Sequence, residues 1–408
     1  FSGLSRDIPA DFAERLRTAT FTAFRRLLDL CERESPDFLL LAGDVYNQED
    51  ASVSAQLALR DGFRRLESLS IPVFLVHGNH DPLASRLRSV RWPGNVTVFG
   101  ELPDAVPVFR KGEGTPLAII HGASHASGRE TRNLAALFRR TEACGLHVGL
   151  LHATPGDADG VARYAPFSQG DLKASGMDYW ALGHIHDRRE VCREPLAAYP
   201  GCTQGLHINE PGEKGCLLVT AEARPDGGYA VRTSFRPLGP AVWKTLDMDL
   251  GGAASLDELE NRLRTGLDRA AAEVWSGCEM LLVRLRLQGR TELDGLLRKG
   301  TTCAELADRL REDGSGVPRI WIKDIDVATR PCVERGALLE REDLLGEVFR
   351  LSEAARTASG LQALREGPLA PLFAHARAGK ALEPLTDEEL ARLLDDAESL
   401  CLDLLEND

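Results

Sequence analysis

The sequence predicts an α/β fold of two stacked sheets flanked by helices, then a small α+β domain and a helical C-terminus. Three observations predict it. Helical and buried-strand patterns alternate twice within residues 11–76. From Thr115 the chain becomes strand-rich. Pro237-Leu238-Gly239-Pro240 then punctuates the chain before a β-α-β-α-β run. At roughly 100–200 residues per domain, 408 residues make two or three domains.

The elements follow in order. Phe12, Leu16, Ala19, Ala23, Leu27 and Leu30 recur at helical spacing over 11–35, and Ser35-Pro36-Asp37 ends that helix. Phe38–Ala42 reads as a fully buried strand, 51–69 as a helix, and Pro72–Val76 as a second buried strand. Short strands follow at Leu117–Ile120, Val148–Leu151, Tyr179–Leu182, Ala197–Tyr199, Cys216–Thr220 and Tyr229–Ser234, with a helix at about 131–144. These elements make a first domain over 1–238. In the small domain, 242–330, Ser255–Glu258 is a capping box that opens a helix with a Leu256, Leu259, Leu263, Leu267 stripe. Val283–Leu287 alternates as a one-sided strand, Thr302–Glu305 caps another helix, and Ile320 and Ile322 mark a further strand. Residues 338–408 read as helical, the last segment starting at the capping box Thr386–Glu389.

Composition excludes several classes. The apolar fraction of 43% and charged fraction of 27% exclude wholesale disorder. The longest apolar runs fall far short of the ~20 residues a membrane helix needs. No basic stretch leads into an apolar segment, so a signal peptide is not expected. The nine cysteines are scattered singly without a Cys-x-x-Cys pair, which fits a reducing, cytoplasmic setting. A net charge of −13 argues against non-specific nucleic-acid binding by the whole surface, though not against a local basic groove.

Chemistry-bearing residues stand directly after buried strands. They are Gly43-Asp44, Gly78-Asn79-His80-Asp81, His152 and Gly183-His184-Ile185-His186. In open sheets, ligands bind beyond the carboxyl ends of strands, so four such ends can converge. Carboxylate, amide oxygen and imidazole suit Mn²⁺, Fe or Zn²⁺ better than a soft thiolate site does. Asp44 has two oxygens and can bridge two ions. His152 or Gly43-Asp44 alone is a common loop or turn residue, Gly-His-x-His is moderately specific, and Gly-Asn-His-Asp is sharper because a turn does not require its His-Asp. Their order behind successive buried strands makes coincidence improbable.

These motifs resemble the signature of calcineurin-like metallophosphoesterases, and more closely that superfamily's DNA-repair exonuclease branch of SbcD- and YhaO-like subunits. Tyr199-Pro200-Gly201, Glu210-Pro211-Gly212-Glu213-Lys214-Gly215 and Arg284–Thr291 are similar to that branch's later patterns. The resemblance covers about 1–330. It implies a four-layer α-β-β-α sandwich core with a small α+β capping domain and C-terminal helices. It implies two divalent ions, Mn²⁺, with Asp44 bridging. Asn79, His152 and His184 would complete one shell, and His186 would join the other. His80 would act at the scissile phosphate, with Asp81 orienting it. The family's Asp-x-His motif has no match here. Phe1-Ser2-Gly3-Leu4 resembles the segment after it, so that strand and its two ligands are expected upstream of Phe1. Asn47 stands where some members carry a substrate-positioning histidine.

Arg86, Arg88, Arg91, Arg188 and Arg189, in loops after the metal motifs, are candidate phosphate contacts, with ion pairs to surface acids as the plain alternative. His121 and His125 follow a strand and read as satisfied loop histidines before pocket residues; His147, His207 and His375 read as structural or exposed. Arg284 and Arg286 point away from the small domain's core, either along a DNA backbone or into solvent. The implied partners are DNA and an SMC-like coiled-coil ATPase that engages the C-terminal helices; a homodimer is compatible and no membrane is implied. The expected function is metal-dependent DNA cleavage, exonucleolytic and endonucleolytic, in double-strand-break repair. The rivals are a phosphatase or small-molecule phosphodiesterase, and a non-catalytic DNA- or ATPase-binding scaffold.

Overall fold

The computed structural model describes residues 8–46, 53–84, 90–156, 163–225, 227–312, 316–332, 335–374 and 385–405. The expectations for Phe1–Leu4, Asn47, Arg86, Arg88 and His375 lie outside them. Two amphipathic helices, α1 (Ala10–Arg17) and α2 (Ala19–Glu34), replace the single helix expected over 11–35. Thr18 departs from helical geometry between them, and its Oγ1 donates back to the Glu14 carbonyl at 3.0 Å. Ser35 closes α2 in the left-handed region.

The first sheet is parallel, in the order β1 (Leu39–Ala42), β2 (Val73–Val76), β3 (Val96–Val98), with α3 (Val53–Ser68) connecting the first two. Strand parity sorts its two faces. Leu39, Leu41 and Val73 pack against Ala23, Leu27, Phe63 and Leu66 of the helices. Leu40, Ala42, Phe74 and Val76 face the second sheet and share a core with Ile120, Val148 and Leu150.

The second sheet has the order β4-β5-β6-β7-β9-β8, built from Asp104–Val108, Ala118–Ala123, Leu146–His152, Tyr179–Gly183, Arg189–Arg193 (β8) and Leu196–Tyr199 (β9). Its central strands are parallel and its two edges antiparallel. Its outer face is covered by α4 (Gln169–Ala174), capped by Ser168 and Asp171, and by an irregular segment. The helix expected at 131–144 is only a 3₁₀ turn, Ala135–Leu137. Leu134, Ala135 and Phe138 are all fully buried, and Phe138 is extended so that its ring meets Trp180 at 4.8 Å. Tertiary packing overrides helix propensity there. The whole is an α-β-β-α sandwich.

A hairpin, β10 (Gly215–Ala223) with β11 (Tyr229–Pro237), adds Val219, Ala221, Tyr229 and Val231 to the core between the sheets. The segment after Pro240 runs β12 (Ala241–Asp249), α5 (Leu256–Glu273), β13 (Met280–Gln288), β14 (Arg290–Thr291), α6 (Asp294–Leu297), α7 (Thr302–Glu312), β15 (Arg319–Val327) and β16 (Arg330–Pro331). Strands β12, β13 and β15 form one sheet, and the short β14 and β16 pair with each other. Leu259, Leu263 and Leu267 of α5 are buried as expected, but Leu256 is 51% exposed, because it sits in the first turn beside the Ser255 cap. Helices α8 (Arg335–Leu339), α9 (Leu344–Ala355), α10 (Ala358–Glu366), α11 (Ala370–Ala374) and α12 (Asp387–Leu405) end the chain.

The chain divides into two compact units. One comprises 1–248, 260–287 and 300–327; the other comprises 249–259, 288–299 and 328–408. The expected boundary at 238–242 lies inside the first unit. Phe12 and Leu16 of α1 share a core there with Ala241, Trp243, Met280, Leu282 and Trp321. In the second unit Leu338, Leu345, Phe349 and Leu402 pack together, and Arg335 bridges Glu353 and Glu398, each at 2.8 Å. No helix among the described residues is long and apolar enough to cross a membrane.

Candidate metal centre

Parallel pairing brings the motif-bearing strand ends to one place. Ala42 pairs with Val76 across β1 and β2, and His152 pairs with Gly183 across β6 and β7. The residues that follow emerge at the carboxyl edges of both sheets. Glycines make room for the crossing. A Cβ on Gly78 would lie 2.3 Å from Asp44 Oδ1 and 2.8 Å from the His152 ring, and one on Gly183 would lie 1.8 Å from the Ala42 carbonyl oxygen. Asp44 (φ 50°) and His184 (φ 106°) take positive φ, a strained conformation of the kind found at functional sites.

Asp44, Asn79, His152 and His184 converge. His152 is 1% exposed, and its Nδ1–H donates to the Ala42 carbonyl at 2.8 Å. That bond assigns the proton to Nδ1 and leaves the Nε2 lone pair facing inward. Nε2 then lies 3.0 Å from Asn79 Oδ1 and 3.2 Å from Asp44 Oδ2, and His184 Nδ1 lies 3.2 Å from the same Asn79 oxygen. His184 Nδ1–H can donate to that oxygen, whereas the His152 Nε2 lone pair faces the oxygens of Asn79 and Asp44, an arrangement that a cation among them would relieve. The donor set is that of a hard or borderline divalent ion. Burial pulls the Asp44 carboxyl upward. His152 and the backbone N–H of His80, which donates to Asp44 Oδ1 at 2.8 Å, outweigh this and leave it at about 2. Asp44 is therefore ionised and available as a ligand.

His80 is exposed, and its backbone N–H is tied to Asp44. Asp81 does not orient it by any hydrogen bond among the described residues. The Asp81 carboxylate is fully buried and accepts backbone N–H groups from Gly78 (2.7 Å), Val45 (3.0 Å) and Asp44 (3.2 Å), with His77 Nδ1 3.3 Å away. It pins one metal loop to the other instead. His186 stands apart from the convergent set: its Nδ1 meets Glu210 Oε1 at 2.5 Å. That hydrogen bond holds His186 above its ordinary pKa against the effect of burial, and the charges of Glu210 and Asp44 add to it.

His125 is buried behind the site, and its Nε2–H donates to the His152 carbonyl at 2.6 Å, so it supports a ligand rather than lining a pocket. His121 is buried against His147, with ring nitrogens 2.9 Å apart. Arg188 and Arg189 are exposed. The Arg188 guanidinium lies 4.0 Å over Phe235, and that of Arg189 lies 5.7 Å from the Tyr199 ring. Arg91 is exposed as well. Tyr164, whose ring stacks edge-on 5.3 Å from His184, escaped the sequence reading because no motif surrounds it. Glu210 was part of a noted pattern, but nothing in that pattern shows which residue its carboxylate meets.

Residues 17–188 match the family described as Calcineurin-like phosphoesterase, and residues 243–330 match Metallophosphoesterase YhaO, middle domain. The chain is 33% identical over 374 residues to the uncharacterized metallophosphoesterase YhaO of Bacillus subtilis, covering 90% of this chain and 88% of that protein. It is 27% identical over 290 residues to the DNA double-strand break repair protein Mre11 of Aeropyrum pernix, covering 64% of each. With the Haloferax volcanii protein of the same name the identity is 24% over 355 residues, covering 82% of this chain and 72% of that one.

Proposed function

The chain belongs to the calcineurin-like metallophosphoesterases, with the YhaO proteins, and from that premise we propose that it is a Mn²⁺-dependent nuclease that hydrolyses phosphodiester bonds in DNA during break repair. The family membership makes it a divalent-metal-dependent hydrolase of phosphoester bonds. The observation that carries the proposal is the convergence of Asp44, Asn79, His152 and His184 at the ends of parallel strands. Divalent ions at such a site supply neutralisation of phosphate oxygens and activation of water. The chain's own residues do the rest. Asp44 and Asn79 fix the site's charge and position. On this reading His80, which is exposed, protonates the departing sugar oxygen. Arg188 and Arg189, held over aromatic rings, offer guanidinium donors to flanking phosphates. The Mre11 relatives support DNA as the substrate. On this reading an SMC-like ATPase engages the C-terminal helices, and cysteines that form no disulfide among the described residues suit a cytoplasmic setting.

A second reading, a small-molecule phosphodiesterase, draws on the small domain. Arg284 pairs with Asp324 at 2.6 and 3.0 Å, and Arg286 with Asp326 at 3.3 Å, so this face offers little free positive charge. The two readings separate on hydrolysis of bis-p-nitrophenyl phosphate and binding of duplex DNA, each with Mn²⁺ or EDTA. A nuclease shows Mn²⁺-dependent hydrolysis, lost in Asp44→Ala, together with DNA binding that weakens steeply with salt. Hydrolysis without any DNA binding favours the small substrate.

A further inference from the structure

Glu210 lies in a segment to which the proposed chemistry assigns nothing. We infer that Glu210 is a positioning residue: its carboxylate fixes the ring of His186 so that His186 presents Nε2 as a metal-binding lone pair. The inference rests on the reading of His186 as a ligand.

The geometry supports it in three steps. Glu210 is 6% exposed and both its oxygens are committed: Oε1 lies 2.5 Å from His186 Nδ1, and Oε2 accepts the Leu206 N–H at 2.7 Å. A carboxylate only accepts, so His186 must donate from Nδ1, and the neutral ring keeps its lone pair on Nε2. The His186 side chain is 54% exposed, so little packing restrains it and the bond to Glu210 sets its orientation. Carboxylate–histidine pairs of this kind fix the tautomer and raise the basicity of the outer nitrogen.

The main chain of His186 is secured separately. Its carbonyl accepts the Cys202 N–H and the buried Lys214 ammonium, each at 3.2 Å, and Lys214 also reaches Asp187 Oδ1 at 2.9 Å. A Cβ on Gly201 would lie 2.7 Å from that carbonyl, so the approach needs glycine. Loss of the Glu210 carboxylate should therefore free the ring without releasing the loop. His186, Cys202 and Glu210 could also be read as a separate three-ligand site, since their ligand atoms lie within 4.8 Å of one another. The 2.5 Å contact leaves no space for an ion between Nδ1 and Oε1.

The test is titration of the purified protein with Mn²⁺, following free Mn²⁺ by electron paramagnetic resonance, in wild type, Glu210→Ala, Glu210→Gln, His186→Ala and the Glu210→Ala/His186→Ala double variant. Glu210→Ala should weaken binding ~10–100-fold, as loss of such a partner does elsewhere. Glu210→Gln keeps one oxygen to accept from Nδ1–H but turns its amide N–H₂ toward the Leu206 N–H, so it should recover only part of it. The double variant should bind no worse than His186→Ala, because both changes act through one ring. Glu210→Ala binding like wild type while His186→Ala binds weakly overturns the positioning role alone. An unchanged affinity in His186→Ala overturns the ligand reading and the inference with it. Should Glu210→Ala fail to fold, ¹⁵N-histidine spectra of the unaltered protein decide. In spectra taken at alkaline pH, where the ring is neutral, the proton is expected on Nδ1, and a neutral ring with its proton on Nε2 overturns the inference.

Discussion

At the residue scale, the site depends on what glycines leave out and on what one buried carboxylate holds. The volume a Gly78 Cβ would need is already taken by Asp44 and His152. Gly78→Ala is therefore expected to lower Mn²⁺ affinity at least ~10-fold by displacing ligands; wild-type affinity in a Mn²⁺ titration would contradict this. Asp81→Ala leaves three backbone N–H groups without their acceptor. At ~1–3 kcal/mol for each unsatisfied buried group, and with some relaxation, a loss on the order of 3 kcal/mol is expected in urea unfolding. The metal motifs were legible because each is a short run of unusual residues after an apolar strand. The role of Asp81 was not. Gly-Asn-His-Asp lets the carboxylate turn toward His80 or back under the loop, and only the neighbouring Asp44–Val45 backbone settles which.

At the element scale, the interior strands were legible from their apolar runs. The edge strands β3, β4 and β8 were not, because they are short and mixed in polarity, and pairing rather than sequence makes them strands. The cross-strand ladder of β13 and β15 was likewise invisible: Arg284 lies opposite Asp324, and Arg286 opposite Asp326, in partners 40 residues apart. Arg284→Ala and Arg286→Ala are expected to leave the salt dependence of DNA binding unchanged and to alter stability by less than ~1 kcal/mol, as exposed pairs do. A reduced slope in a salt titration would place DNA on this face after all. The adjacent strands β5 and β6 bury His121 against His147, and desolvation, with the His147 and Arg140 charges, pushes His121 down to about 4. Its folded value lies below the ordinary 6.5, so the unfolded chain takes up the proton first. Stability is then full above that ordinary value and falls progressively as pH drops toward 4, by up to about 3 kcal/mol. His121→Gln should flatten that part of a pH–stability curve measured by denaturant unfolding; an unchanged slope would show that His121 is not its source.

At the scale of the whole molecule, the sequence supported two sheets flanked by helices, because alternating element types leave few alternatives. It did not reveal that the β12-β13-β15 sheet clusters with the first unit. The contacts of Phe12 and Leu16 with Trp243 and Trp321 join residues far apart in the chain, and no local pattern encodes them. A net charge of −13 keeps the surface as a whole unfavourable to a polyanion, so the proposed DNA contact would be local and screened by salt. Metal binding couples the site to the fold. Mn²⁺ at about 100 times its dissociation constant should stabilise the folded chain by about 2.7 kcal/mol, seen as a raised melting temperature that EDTA reverses. An Asp44→Ala protein should show no such rise. The central claim, metal-dependent phosphodiester hydrolysis acting on DNA, is tested most directly by incubating end-labelled duplex DNA with Mn²⁺ and either this protein or its His80→Ala variant. The account predicts cleavage that EDTA abolishes and that His80→Ala lowers by ~100-fold or more. An intact duplex beside continued hydrolysis of bis-p-nitrophenyl phosphate would contradict it.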